Sequence, residues 1–153
     1  MISPDAGRVR VAERWTDILG APLAIIHKRR DPDVPNEAKV LEVVGDVKGR
    51  ICVVVDDMID TGGTIVKASE ALFENGAEDV IVTATHGVLS PPAAQRLQDS
   101  RIREVVVTDT LPIPLENRFS NLTVLPIAPL IARAIKEVFD EGSVASLFDH
   151  VGV

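Results

Sequence analysis

Apolar residues recur along this chain in two rhythms, one helical and one extended. Over residues 8–19, Val11, Trp15, Ile18 and Leu19 fall on one side of a helix, and Gly20 offers a stop. Residues 22–27 are a short apolar run that reads as a strand, and residues 40–44 predict another, leading into a turn at 46–49. Residues 50–55 carry the most apolar strand of the chain. Residues 64–74 place Ile65, Ala68 and Leu72 on one helical face, and Asn75-Gly76 stops that helix. A strand follows at 79–85, then a helix at 91–98 with Ser90 as its cap and Pro91 at its first position. Residues 104–108 and 122–125 read as strands. Residues 128–139 read as a helix with Leu130, Ile131, Ala134, Ile135 and Val138 turned inward. Residues 31–36, with two prolines and few apolar side chains, predict a loop, and the stretch from Lys28 to Asn36 is expected to be mobile.

Strands separated by helices imply an α/β fold, in which a mostly parallel central sheet is flanked by helices. No linker, internal repeat or low-complexity tract divides the pattern, so one domain is expected over residues 1–153. Ligands of such sheets sit beyond the C-terminal ends of the strands, where Asp56, His86 and Asp109 fall.

Composition narrows the class. With 153 residues, 46% of them hydrophobic, the chain can bury a core of its own. A formal charge of −7, with no offsetting basic stripe, argues against nucleic acid as a partner. The single cysteine, Cys52, lies inside an apolar strand and reads as a core thiol. No apolar stretch reaches the length of a membrane span, and Met1-Ile2 runs directly into a polar turn rather than a signal peptide. A cytoplasmic protein without membrane contact is expected.

The run from Val53 to Thr64, Val-Val-Val-Asp-Asp-Met-Ile-Asp-Thr-Gly-Gly-Thr, carries the strongest chemical signal. An apolar strand meets two adjacent acids, a glycine-bearing turn and a helix start. Free backbone N–H groups and the helix dipole favour an anion at such a start. Gly62 and Gly63 allow close backbone approach, and Thr61 and Thr64 add hydroxyls. Asp56 and Asp57 would repel a phosphate; they suit vicinal sugar hydroxyls or the shell of a bound Mg²⁺. The plainer alternative is a strand-to-helix turn capped by Asp60 or Thr61. The run contains neither a Walker-type phosphate loop nor a dinucleotide fingerprint.

Residues 55–64 resemble the signature of phosphoribosyl-pyrophosphate (PRPP) binding proteins of the type I phosphoribosyltransferase fold. Ser3-Pro4-Asp5, Ile25-Ile26-His27-Lys28-Arg29-Arg30, Thr85-His86-Gly87-Val88-Leu89-Ser90 and the segment from Ser143 to Phe148 extend the likeness to the C-terminal half of the ribose-phosphate pyrophosphokinases. The resemblance covers nearly the whole chain. It implies transfer of the β,γ-diphosphoryl group of ATP to ribose 5-phosphate, with Mg²⁺ required. Under it, Asp60, Thr61, Gly62, Gly63 and Thr64 cradle the 5-phosphate, and Asp56 and Asp57 hold the ribose hydroxyls. Lys28 and Arg30 act from a catalytic flexible loop, and Asp5 helps to hold the metal.

The resemblance further implies a partner domain upstream that supplies much of the ATP site, and a homo-oligomer, hexameric in the family. This chain therefore reads as half of a two-domain enzyme, inactive by itself. Other readings are a nucleobase phosphoribosyltransferase, a non-catalytic PRPP-binding regulatory subunit and a structural element of a larger oligomer. For the first, no aromatic residue is well placed to stack on a base. For the second, the acidic and basic loops both look intact. Ser143, Ser146 and Phe148 match a segment that lies near an allosteric site in the family, whereas Ala145 falls where some relatives have serine. His27, His86 and His150 read as structural or exposed rather than catalytic, and no His/Cys cluster has zinc spacing.

Overall fold

The computed structural model describes residues 1–29, 40–145 and 147. Seven strands form one sheet: β1 (Ile2–Ser3), β2 (Ala24–Arg29), β3 (Val40–Val44), β4 (Ile51–Ile59), β5 (Asp79–Gly87), β6 (Glu104–Thr108) and β7 (Leu122–Leu125). Four helices accompany them: α1 (Val9–Leu19), α2 (Gly63–Glu74), α3 (Ala93–Gln98) and α4 (Ala128–Phe139). The spatial order is β3-β2-β1-β4-β5-β6-β7. All neighbours are parallel except β3, which runs antiparallel to β2 at one edge. The mostly parallel α/β architecture expected from the sequence is what is found.

Two residues are too short to show a period, and β1 was not anticipated. It nonetheless lies inside the sheet, with Ile2 opposite Ala24 of β2 on one side and opposite Val54 of β4 on the other. From β1 the chain builds outward to β2 and β3. It then crosses back to β4 and builds in the opposite direction, so strand order reverses between β1 and β4. Open α/β sheets bind ligands in the crevice outside the strand ends at such a reversal.

One face of the sheet is dry. Val54, Val80, Val82, Val105 and Val107 are wholly buried there, packed with Ile65, Ala68 and Leu72 of α2 and Ala93 and Leu97 of α3. The α3 start differs from the expectation. Ser90 offers its backbone carbonyl to the Ala93 amide at 2.9 Å instead of capping with its side chain, and the helix begins at Ala93.

The opposite face is incompletely covered. Val53, Ile81, Thr83 and Val106 are half-buried. In α1 only Ala12 is buried, and Val11, Trp15, Ile18 and Leu19 are 39–55% exposed. The expectation that α4 turns its apolar stripe inward is corrected: none of its residues is buried, and Leu130, Ile131, Ile135 and Val138 are 38–66% exposed. Both stripes are truly amphipathic, but burying one needs a surface to pack on, and the described residues of this unit do not supply it.

Candidate functional site

The crevice at the reversal is built from the ends of β1 and β4. After β1, Ser3 Oγ donates to the Asp5 carbonyl at 2.7 Å, and Asp5 Oδ1 accepts from the amides of Gly7 (2.7 Å) and Arg8 (3.1 Å). Asp5 thus caps a one-turn 3-10 helix, Ala6–Arg8, that leads into α1. The turn presents Arg8 toward the end of β4.

There Arg8 meets both acids. Its Nη2 lies 2.5 Å from Asp57 Oδ2, and its Nε lies 3.7 Å from Asp56 Oδ1. Asp56 Oδ1 also accepts the Asp57 amide at 2.8 Å. The two carboxyls are pushed apart in acidity. Burial raises the pKa of Asp56, whose side chain is 18% exposed, while the Arg8 guanidinium holds that of Asp57 down. Arg8, hydrogen-bonded to Asp57, has its own pKa raised. Strand β4 continues past Val55 through both acids because β5 gives it a partner: Asp56 pairs with Ala84, Met58 with His86 and Ile59 with Gly87.

The glycine turn follows. Gly62 sits at φ 72°, in the left-handed region that glycine occupies at least cost, and forms the N-cap of α2 without a side-chain bond. Neither Asp60 nor Thr61 occupies the cap position, which sets aside the plain capped-turn alternative. The first amides of α2 therefore stand at a helix N-terminus that Gly62 has no side chain to cap, a geometry suited to an anion. Arg96 of α3 braces the turn from behind, its Nη1 donating to the Thr61 carbonyl at 2.6 Å. One cavity of about 380 Å³ is lined by Asp5, Arg8, Asp56, Asp57 and the whole loop from Asp60 to Thr64.

The predicted site residues are thus brought together with two exceptions. Lys28 is a strand residue, its backbone paired with Leu41, and strand β2 runs on through Arg29 rather than ending at His27. Parallel register puts Ala24 and Val54 level on either side of Ile2, so Lys28 and Asp56 both lie toward the C-terminal end of the parallel strands. Arg30, the loop at 31–36, Ser146, Phe148 and His150 lie outside the described residues.

His86 Nδ1 lies 2.8 Å from Thr110 Oγ1, and Asp109 accepts the Ile127 amide at 2.7 Å ahead of α4, so both stabilise the loop edge. Arg8 and Arg96 were missed by sequence reasoning. Arg8 carries only a weak signal, its place three residues after Asp5, and Arg96 carries none.

For a metal, the donor set is partial. Among the described residues no three His, Cys, Asp or Glu side chains cluster to hold an ion. Asp5 Oδ1 already serves two backbone amides, leaving its other oxygen for a cation. That fits Mg²⁺, which commonly takes one or two carboxylates and completes its shell with substrate phosphates and water. No helix among the described residues is long and apolar enough to cross a membrane.

Acids at a strand end and a glycine turn at a helix start, meeting at a sheet reversal, define a type I phosphoribosyltransferase-like domain. By its sequence the chain belongs to the family described as the phosphoribosyl synthetase-associated domain, whose family model matches residues 24–149. It is 70% identical over 150 residues to the ribose-phosphate pyrophosphokinase of Streptomyces coelicolor, which covers 98% of this chain and 46% of that protein. Against the ribose-phosphate pyrophosphokinase of Mycobacterium bovis identity is 62%, again with 46% of the relative covered. The crystal structure of phosphoribosylpyrophosphate synthetase from Mycobacterium smegmatis superposes with a TM-score of 0.83 at 58% identity, over 92% of this chain and 45% of that one. The chain therefore spans about half the length of the relatives it matches.

Proposed function

We propose that this chain is the ribose 5-phosphate-binding half of a ribose-phosphate pyrophosphokinase, which converts ATP and ribose 5-phosphate to PRPP and AMP. The observation that carries this reading is that an acid pair and a glycine-capped helix start line one cavity. The phosphate would sit on the first amides of α2, with Thr61 and Thr64 adding hydroxyls and Asp60 ordering the turn. Asp56 and Asp57 would accept hydrogen bonds from the ribose hydroxyls and so fix the anomeric oxygen.

In the reaction that oxygen attacks the β-phosphorus of ATP. The bond from that phosphorus to the α-phosphate bridging oxygen breaks, AMP leaves with the oxygen, and the hydroxyl proton is released. Charge develops on the moving phosphate oxygens, and fixed cations stabilise it. Lys28, a residue of β2, and Arg30, by resemblance to the family, would provide them. Asp5 would hold Mg²⁺ together with substrate phosphates; the ion, when bound, supplies charge neutralisation there.

The ATP site would be completed by further protein, as the half-length match to the relatives and the exposed apolar stripes of α1 and α4 both support. In that assembly, a homo-oligomer, the chain would work as the C-terminal domain. The test is PRPP formation. The purified chain should release no AMP from ATP and ribose 5-phosphate in Mg²⁺, whereas the chain joined to the N-terminal half of a close relative should do so. Failure of the joined protein, correctly folded, or vigorous turnover by the isolated chain, would overturn the proposal.

A further inference from the structure

The acid pair could serve two chemistries, sugar hydroxyls or a divalent cation, and the sequence leaves that open. The neighbourhood of Arg8 separates them. We propose that Arg8 is a built-in counter-ion that reserves Asp56 and Asp57 for the hydroxyls of a sugar and keeps divalent cations off the pair. This rests on the reading of the crevice as a sugar-phosphate site and deepens it by naming a specificity-determining residue.

Four observations carry the argument. Arg8 contacts both acids, at 2.5 Å to Asp57 Oδ2 and 3.7 Å to Asp56 Oδ1, and lines the same cavity as the glycine loop. It is held there by its backbone, whose amide is bonded to both Asp5 Oδ1 (3.1 Å) and the Asp5 carbonyl (3.3 Å). The turn that fixes it leaves from β1, the strand hydrogen-bonded beside β4, so the spacing between the two charges is set by the sheet. Finally, Asp56 Oδ1 is already engaged by the Asp57 amide at 2.8 Å, which fixes that oxygen beside Arg8.

The chemistry then differs for the two ligands. A carboxylate has about four lone-pair sites, so Asp57 can accept a sugar hydroxyl while still paired with Arg8. A divalent cation must instead approach a positive charge a few ångströms away, and that repulsion opposes its binding at the pair. Arg8 also lowers the net charge of the trio to −1, which lessens repulsion of a phosphate entering the α2 end. Arg8 acts through the acids and is a positioning residue.

The experiment is Mn²⁺ binding, followed by the electron paramagnetic resonance signal of the free ion, with no sugar present. Wild type, Arg8→Gln, Arg8→Lys and the double variant Arg8→Gln, Asp57→Asn are compared, each checked for native circular dichroism. The expected result is Mn²⁺ bound about tenfold tighter by Arg8→Gln than by wild type. Arg8→Lys, which keeps the charge, should stay within about twofold of wild type, and Asp57→Asn should cancel the gain. Unchanged Mn²⁺ affinity in folded Arg8→Gln would overturn the proposal. So would a loss of ribose 5-phosphate affinity in Arg8→Gln with Mn²⁺ unmoved, which would make Arg8 a direct anion contact. Because the Mn²⁺ arm contains no sugar, failure of the sugar-phosphate reading would appear separately, as absence of ribose 5-phosphate binding by wild type.

Discussion

Arg96 Nη1 donates to the carbonyl of Thr61 at 2.6 Å, tying α3 to the glycine turn across 35 positions of sequence. The same guanidinium lies beside Gly63, where an added Cβ would come within 3.1 Å of Nη1. The loop's shape therefore depends on a helix that touches no ligand in the proposed site. Arg96→Ala should weaken ribose 5-phosphate binding by about tenfold by loosening the turn. Its melting temperature should move by about 2 °C or less, since the contact is exposed. Calorimetry and a thermal melt on the same sample separate the two effects.

Gly62 is the second support of the loop. Its φ of 72° is unfavourable for a side chain, and a Cβ there would meet Leu97 Cγ at 3.3 Å. Gly62→Ala should destabilise the fold by roughly 1–2 kcal/mol through left-handed strain and crowding of a buried leucine. Denaturant unfolding would read this as a lower midpoint with an unchanged slope.

How much of this was visible beforehand depends on the residue. The strand, acids, glycines and helix of residues 51–74 were legible because each local signal agreed with the next, apolar run to turn to amphipathic helix. The reach of β4 to Ile59 was not, because aspartates are poor strand formers and only the partner strand β5 holds them there. Strand β1 was invisible for want of length, yet it fixes the reversal that makes the crevice. The apolar stripe of α4 was read correctly as a stripe and wrongly as buried. Periodicity tells which face seeks cover; it does not tell whether the cover lies in the same unit. Arg8 escaped notice because its contact depends on two strands being neighbours, which no local pattern encodes.

Asp56 should show a conflict between stability and binding. Burial raises its carboxyl pKa above the unfolded value; the Asp57 amide and Arg8 oppose the rise, and the Asp57 carboxyl adds to it. A raised folded-state pKa means the carboxyl favours the fold while protonated, and that contribution is lost as pH rises through the folded value. At neutral pH the ionised group is therefore a cost. Asp56→Asn, which can still accept the Asp57 amide, should stabilise the protein by about 1 kcal/mol at pH 7. The gain should vanish once pH falls below the ordinary carboxylate range, where Asp56 is protonated in both states. Ribose 5-phosphate affinity should fall in the same variant. Unfolding curves at neutral and acid pH check the sign.

The most direct test of the sugar-phosphate site is calorimetric titration of the chain with ribose 5-phosphate in Mg²⁺, run beside an Asp60→Ala, Thr64→Ala double variant. Saturable binding by the native chain, weakened at least about tenfold in the double variant, is the predicted result. Equal binding by both, or no binding by a demonstrably folded native chain, would contradict the placement of the sugar phosphate on the loop that joins β4 to α2.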